Sequence, residues 1–437
     1  MGLLMLSTVL DYYYGFFVAS TNRNKAKLFL WLSVINNLGI LAVFKYFNFF
    51  IEQFQQAFEL IGLHTDPIIL NIALPVGISF YTFHGMSYVF DIYRGNQKPV
   101  NSFIDYAVFV SFFPLLVAGP IERANHLLPQ VQRIRTFNYE QALVGCRLIL
   151  WGIFKKVVVA DNSAHFANEI FNNYEIYNGS AMLLGVLFFT IQIYGDFSGY
   201  SDIALGTAKL FGFDLLINFR FPYFSRDLAE FWKRWHISLS SWFRDYLYIP
   251  LGGSKEGKVK AIRNTFIIFL VSGFWHGASW NYVAWGFAHA CGFLPLLLMQ
   301  KSKVNTSDSI AQNSILPNFR ELYGLVTTFI FVMLCWIFFR APNLFVAIDF
   351  FKTIFSSQLF LFPNIKLDNA DLLKLFHLMI SVFLLLIFEW MSRRTNSSVH
   401  FFNKIKLKYI RRLLYVMLIF MIFYFKGLPV EFIYFAF

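Results

Sequence analysis

The chain has 437 residues, 57% of them hydrophobic, 20% aromatic and only 14% charged. Soluble domains carry about a quarter charged residues, so this surface has too few charges to stay dissolved, and a soluble enzyme is excluded. The excess of 37 Lys and Arg over 25 Asp and Glu, net +12, raises the question of nucleic acid, but the cations cluster in short loops such as Arg23, Lys25 and Lys27, or the run from Arg393 to Arg412. That is the positive-inside pattern of cytoplasmic loops, reinforced by anionic headgroups, so the expected surroundings are membrane lipids and no nucleic acid.

In chain order, apolar runs predict membrane segments at 2–20, 28–51, 68–90, 104–119, 142–160, 181–213, 264–280, 281–300, 322–340, 372–391 and 410–425. Several are shorter than the ~20 residues of a straight span, and 104–119 runs into Pro120 and a polar stretch, so some are expected to be broken or re-entrant. The expectation is an all-α polytopic helical bundle, a single membrane domain over 1–437, with nine to eleven embedded helices. The first segment has no basic n-region and Asp11 interrupts it, against a cleaved signal peptide; Leu6 stands where a myristoylation motif needs Ser or Thr. Loop charges place 21–27, 91–103 and 392–412 in the cytoplasm and Phe437 on the far side. Stretches 301–320 and 392–409 read as interhelical loops. Cys146, Cys291 and Cys335, scattered and without CxxC spacing, predict core packing and neither a disulfide framework nor zinc.

Residues 214–263 never provide a clean span. There Trp232, Trp235, Trp242 and their neighbouring aromatics interleave with Lys233, Arg234 and Arg244, the pattern of a helix lying at headgroup depth. Ser225 is the expected N-cap of a helix opening at Arg226, with Glu230 and Arg234 paired at i, i+4; Pro250 and Gly252-Gly253 close the segment. Before it, Asp196 and Asp202 break an apolar stretch. Carboxylates at membrane depth need partners, expected in Arg226, Arg234 or Arg244, in a structural network that positions a broken helix.

Of nine histidines, His64, His126, His165 and His400 fall in loops and read as solvated; His377 reads as near an interface, and His84 as hydrogen-bonded within the bundle. His276 differs, because glycines flank it in Ser272-Gly273-Phe274-Trp275-His276-Gly277 and tryptophans can wall a pocket. His236 is its natural second partner, and for His289 structural and functional readings weigh equally. An imidazole with a pKa near ~6.5 can take a proton from a hydroxyl and return it, which suits acyl transfer from a thioester to an alcohol. No HExxH, P-loop, GxGxxG or Gly-x-Ser-x-Gly occurs, so metal, nucleotide and nucleophile-elbow chemistry have no sequence support.

Taken together, Phe231-Trp232-Lys233-Arg234-Trp235-His236-Ile237-Ser238, the continuation Arg244-Asp245-Tyr246 to Leu251-Gly252-Gly253, and Phe274-Trp275-His276-Gly277 resemble the signature of membrane-bound O-acyltransferases. Leu74-Pro75-Val76-Gly77-Ile78-Ser79-Phe80-Tyr81-Thr82-Phe83, Asp91-Ile92-Tyr93-Arg94-Gly95 and Ala118-Gly119-Pro120-Ile121-Glu122-Arg123 extend the resemblance over nearly the whole chain, with its core at about 68–300. The unbroken Tyr248 to Gly253 ending looks most like the bacterial branch that O-acetylates alginate and related exopolysaccharides; the teichoic acid D-alanylating branch is the nearer alternative, beside peptidoglycan O-acetylation. The resemblance implies a bundle thinned at its centre around a tunnel, His276 as the catalytic residue with His236 as partner, and substrate or tunnel contacts at Trp232, Arg234, Trp235, Arg244, Asp245 and Trp275. Asp196, Asp202 and Glu230 remain assigned to the structural polar network. It further implies a bacterial inner-membrane, multi-pass protein and a donor that is acetyl-coenzyme A or another acyl thioester, free or on a cytoplasmic carrier, with no tightly bound cofactor and no metal. The acyl group would pass to an extracytoplasmic acetyltransferase or polysaccharide-modification partner. The family carries one or two more hydrophobic segments before the stretch matching Leu6 to Gly15, which leaves the parity of the topology open.

Two other classes remain. A transporter or flippase built on the 196–202 cluster predicts inverted repeats, which are not seen, and uptake that survives loss of both histidines. A haem-binding membrane oxidoreductase predicts a Soret band.

Overall fold

The computed structural model describes residues 2–64, 66, 69–72, 74–117, 119–299, 309–395 and 397–433, and among them every regular element is helical. Ala118, the 301–308 part of the polar linker and Phe437 lie outside the described residues. The chain forms two compact units: residues 1–136 with 213–216 and 275–279, and residues 137–212 with 217–274 and 280–437.

The first unit contains α1 (Gly2–Val18), α2 (Arg23–Leu41), α3 (Phe47–Leu60), α4 (Ile78–Tyr93), α5 (Phe103–Ser111) and α6 (Ala124–Gln132). A π-helical turn, Ala42–Tyr46, joins α2 to α3 without a break in the helix. Asp11 is buried and accepts from Ser33 Oγ (2.7 Å) and Asn37 Nδ2 (2.9 Å), which is why a carboxylate is tolerated in an apolar helix. Gly77 opens α4 at φ +76°, with its α-carbon so close to the Leu116 carbonyl that a β-carbon would sit 2.1 Å from that oxygen. Only glycine meets both demands. Glu122, fully buried, pairs with His126 Nδ1 at 2.7 Å and accepts the Leu216 amide, fastening 213–216 to this unit, while its own amide donates to His84 Nε2. His126 is therefore a paired helical residue rather than a solvated loop one. Its pKa is raised, chiefly by the hydrogen bond to Glu122.

The second unit is organised on α9 (Gly179–Leu210), flanked by α7 (Tyr139–Ile153) and α8 (Asp161–Asn172). It continues with α10 (Leu228–Trp232), α11 (Ile237–Phe243), α12 (Lys258–His276, whose last two residues belong to the first unit), α13 (Trp280–Leu298), α14 (Phe319–Arg340), α15 (Leu344–Ile354), α16 (Asn369–Ser392), α17 (His400–Lys404) and α18 (Lys408–Tyr424). Each of the eleven apolar runs overlaps a helix, although the run 68–90 is helical only from Ile78 and the run 104–119 only as far as Leu115. Among the described residues five helices are long and apolar enough to cross a membrane: Arg23–Leu60, Gly179–Leu210, Trp280–Leu298, Phe319–Arg340 and Asn369–Ser392; Gly2–Val18 and Phe103–Leu115 are shorter apolar helices. The rest are shorter, or carry charges such as Arg147, Lys155 and Lys156.

Two expectations are corrected here. First, α9 is unbroken through 196–202, and its carboxylates are met by lysines, not arginines: Lys155 Nζ lies 2.7 Å from Asp202, and Lys156 Nζ lies 2.8 Å from Asp196 and 2.7 Å from Asp161. A second π-helical segment, Phe154–Ala160, presents both lysines, whereas Arg226 and Arg234 are already engaged by Glu230. Second, the tract is not one amphipathic helix with exposed rings: Trp235, Trp242 and Phe231 are buried in the core of this unit, because the tract folds into two short helices packed against α9, α13 and α14. Of the cysteines, Cys335 is buried, but Cys146 and Cys291 are exposed on helix surfaces. His165 is likewise not free in a loop: it lies on α8, 3.0 Å from Asp371.

Where α12 meets α13, a β-carbon on Gly286 would stand 2.2 Å from the Phe269 carbonyl oxygen. Gly286→Ala is expected to cost about 1–3 kcal/mol by overpacking, read as a lower unfolding temperature in detergent; an unchanged midpoint would mean the helices do not cross so closely.

Candidate functional site: an aromatic and cationic tract with two histidine motifs

The 214–263 tract is pinned by its polar groups. Asp227, not Ser225, caps α10, accepting from the Glu230 amide at 2.8 Å; Ser225 Oγ donates to the Pro222 carbonyl instead. Glu230 is buried and holds two guanidiniums, Arg234 at 2.7 Å and Arg226 at 2.9 Å, and Arg226 reaches on to Glu321 of α14 at 3.3 Å. A buried carboxylate shared this way is satisfied at every lone pair, which gives α10 one orientation.

His236 follows directly. Its backbone is left-handed at φ +43°, a conformation that costs a non-glycine residue about 1–3 kcal/mol, and it persists because both flanks are held: Arg220 N donates to Arg234 O (3.0 Å), and Ile237 N to Asn218 O (2.9 Å). The ring is buried with its edge against Phe197 at 4.7 Å. Burial disfavours the protonated ring and pushes its pKa down to about 3, so the imidazole is neutral and a weak base.

Beside this tract the second unit holds a cavity of about 1130 Å³, a volume at or above the upper end for small-molecule sites. Lys233, Arg244, Lys255 and Lys258 line it, together with the apolar side chains of Trp232, Ile268, Phe269, Phe293 and Leu297; no carboxylate is among the lining residues. Ser240, Ser241, Ser254, Thr265 and Ser272 add hydroxyls. Of the residues singled out in the sequence, Trp232 and Arg244 line this cavity. Asp245 pairs with Arg244 at 2.8 Å, while Arg234 is spent on Glu230 and Trp235 packs among Phe219, Tyr223 and Trp336. Lys255, Lys258 and Thr265 were missed, although a polar run opens the otherwise apolar helix α12, and Lys233 was read only as part of the aromatic and cationic tract. His289 is fully buried within an aromatic cage of Trp232, Trp285, Phe269 and Phe331, with no hydrogen-bond partner for either ring nitrogen among the described residues.

In the first unit, Trp275 and His276 end α12. The Trp275 ring lies 5.3 Å from Phe83 and 6.1 Å from Phe80, both within the Leu74 to Phe83 motif, and the His276 ring lies 4.8 Å from that of Trp275. Both side chains are mostly buried. Among the described residues no group of three or more His, Cys, Asp or Glu could hold a metal ion.

Comparison with known proteins gives this arrangement a context. Residues 5–337 match the model of MBOAT, the membrane-bound O-acyltransferase family. A probable alginate O-acetylase AlgI of Pseudomonas aeruginosa is 39% identical over 80% of this chain and 65% of the relative. A peptidoglycan O-acetyltransferase of Helicobacter pylori is 35% identical over 80% of the chain and 69% of the relative, and a teichoic acid D-alanyltransferase of Streptococcus thermophilus is 31% identical over 67% and 75%. The chain thus spans about two thirds of the length of the alginate O-acetylases it resembles.

Proposed function

Because the chain belongs to the membrane-bound O-acyltransferase family, we propose that it moves an acyl group, acetyl in the first instance, from a cytoplasmic thioester toward hydroxyls of an extracytoplasmic polysaccharide such as alginate. The observation that carries this reading is the cavity: four cations and no carboxylate among its lining residues, over an apolar interior walled by Trp232, Phe269 and Phe293. Such a lining fits a donor with a polyanionic head and an uncharged thioester arm, the chemistry of acyl-coenzyme A or a phosphopantetheinyl carrier. His276 takes the acceptor hydroxyl proton as its oxygen attacks the thioester carbonyl. The C–S bond breaks as the new C–O ester bond forms, and the imidazolium returns the proton to the departing thiolate. His236, held neutral, is the partner histidine of the second motif. The acyl group passes onward through an extracytoplasmic partner acetyltransferase.

Peptidoglycan O-acetylation is the second reading, favoured by the 35% identity to the Helicobacter pylori enzyme, and D-alanyl transfer the third. Mass spectrometry of the surface polymers of cells with and without the protein identifies acyl group and acceptor together; unchanged polymers would overturn the reading. Within it, reversing two cavity charges, Lys255→Glu with Lys258→Glu, is expected to raise KM for acetyl-coenzyme A about three- to tenfold with kcat nearly unchanged. An unaltered KM would remove the cavity as the donor site.

A further inference from the structure

We infer that Lys45 is a positioning residue for His276, fixing the end of α12 through the backbone and placing a positive charge beside it; this rests on the assignment of His276 as the proton-transferring residue. Lys45 lies inside the long apolar helix Arg23–Leu60, where an ammonium is expensive unless something receives it. Its Nζ donates to the Trp275 carbonyl at 2.8 Å and to the His276 carbonyl at 3.0 Å, and stands 5.8 Å from the centre of the Trp275 ring. Tyr46, the next residue, donates from its hydroxyl to the Trp275 carbonyl at 3.4 Å.

The local backbone explains how these side chains arrive there. A π-helical turn over Ala42–Tyr46 inserts one extra residue into the helix, a distortion that costs ladder regularity and recurs at functional sites. Helix α12 ends at His276, so its last carbonyls have no amide partner within the helix, and the negative end of its dipole is concentrated there. An ammonium on the last two carbonyls satisfies both and fixes the two peptide planes that orient the His276 side chain. No carboxylate pairs with Lys45 among the described residues, and two of its three N–H donors are used on the carbonyls. Its charge is therefore not neutralised by another side chain and acts at the end of the helix.

A lysine anchoring a helix end for stability alone would change the amount of folded protein and leave turnover per folded molecule intact. A lysine aiming the imidazole changes kcat with KM held. The test compares wild type, Lys45→Met, Lys45→Arg and His276→Ala as full-length protein in phospholipid nanodiscs, following thiol release from acetyl-coenzyme A in the presence of the partner acetyltransferase and a polysaccharide acceptor, per folded molecule. Lys45→Met is expected to lower kcat about 10- to 100-fold, the loss of charged hydrogen bonds expressed in rate, with KM within about twofold. Lys45→Arg, which can donate to both carbonyls, is expected to remain within about fivefold of wild type. The inference is overturned if Lys45→Met turns over like wild type, or if Lys45→Arg is as impaired as Lys45→Met. If Lys45→Met does not accumulate, Lys45→Arg decides alone, since a loss of a hundredfold or more contradicts it. His276→Ala separates the two levels: full activity in that variant overturns the assignment of His276 itself, whereas an inactive His276→Ala beside an unimpaired Lys45→Met removes only the role of Lys45.

Discussion

Replacing His276 by Ala is expected to lower acyl transfer by about 10²- to 10⁴-fold, the range for loss of a positioned general base, with the protein still inserted in the membrane. The side chain sits at the last position of α12, mostly buried, with its ring against Trp275, and that tryptophan is itself wedged on Phe80 and Phe83. Truncation removes the imidazole and its ring contact with Trp275 but leaves Trp275 on Phe80 and Phe83 and the backbone carbonyls in place, so the fold has little reason to fail. The measurement is O-acyl content of the polymer in cells carrying the variant, set against its abundance in the membrane fraction. Retained acylation at normal abundance would show that the proton is moved by another group. His236, neutral and strained in the second unit, is then the next residue to replace.

The second large effect concerns stability. Lys155→Met is expected to destabilise the second unit by about 3–5 kcal/mol, the cost of leaving one member of a buried pair uncompensated. The Lys155 side chain is 2% exposed and Asp202 13%, at 2.7 Å, and Lys155 also donates to Ser198 at 3.0 Å. Without the ammonium, Asp202 keeps, among the described residues, the Ser398 hydroxyl near 3.0 Å. Lys155→Met combined with Asp202→Leu is expected to recover much of the loss, because an apolar pair of similar volume has no charge to desolvate. Thermal unfolding in detergent of both singles and the double supplies the cycle; a neutral Lys155→Met would show the pair to be solvated in the membrane.

These two sites were legible in the sequence to different degrees, and the difference is physical. His276 stands out because its neighbours are glycines and tryptophans, a local signature that needs no partner to be recognised. The Lys155–Asp202 pair does not. Asp202 is visible as a charge in an apolar run, but its partner lies 47 positions away, and which cation reaches it depends on a π-helical segment that inserts one residue and turns Lys155 and Lys156 onto α9. Arginines nearer in sequence were the expected partners, and they were already committed to Glu230 and Glu321. The aromatic tract misled for a related reason: interleaved Trp and Arg read equally well as an interfacial helix or as two short buried ones, and the choice rests on whether Glu230 can neutralise the arginines internally. Lys45 carried no signal at all, since one lysine in an apolar run looks like a span boundary.

Composition and periodicity alone determined the solvent, the helical class and the approximate place of every apolar run, because burial of a 57% hydrophobic chain is a sum over residues and needs no knowledge of neighbours. The two histidine motifs, with the Arg244 to Gly253 continuation and the earlier motifs, determined the family resemblance. The i, i+4 pair of Glu230 and Arg234 was legible in the sequence, but only the tertiary structure decided which charges far apart in the chain meet, which helices are unbroken, where the cation-lined cavity lies and that Lys45 receives the end of α12. Each of these depends on pairwise distances between residues far apart in the chain, set by close packing and by the requirement that every charge taken out of water finds an opposite one or a carbonyl.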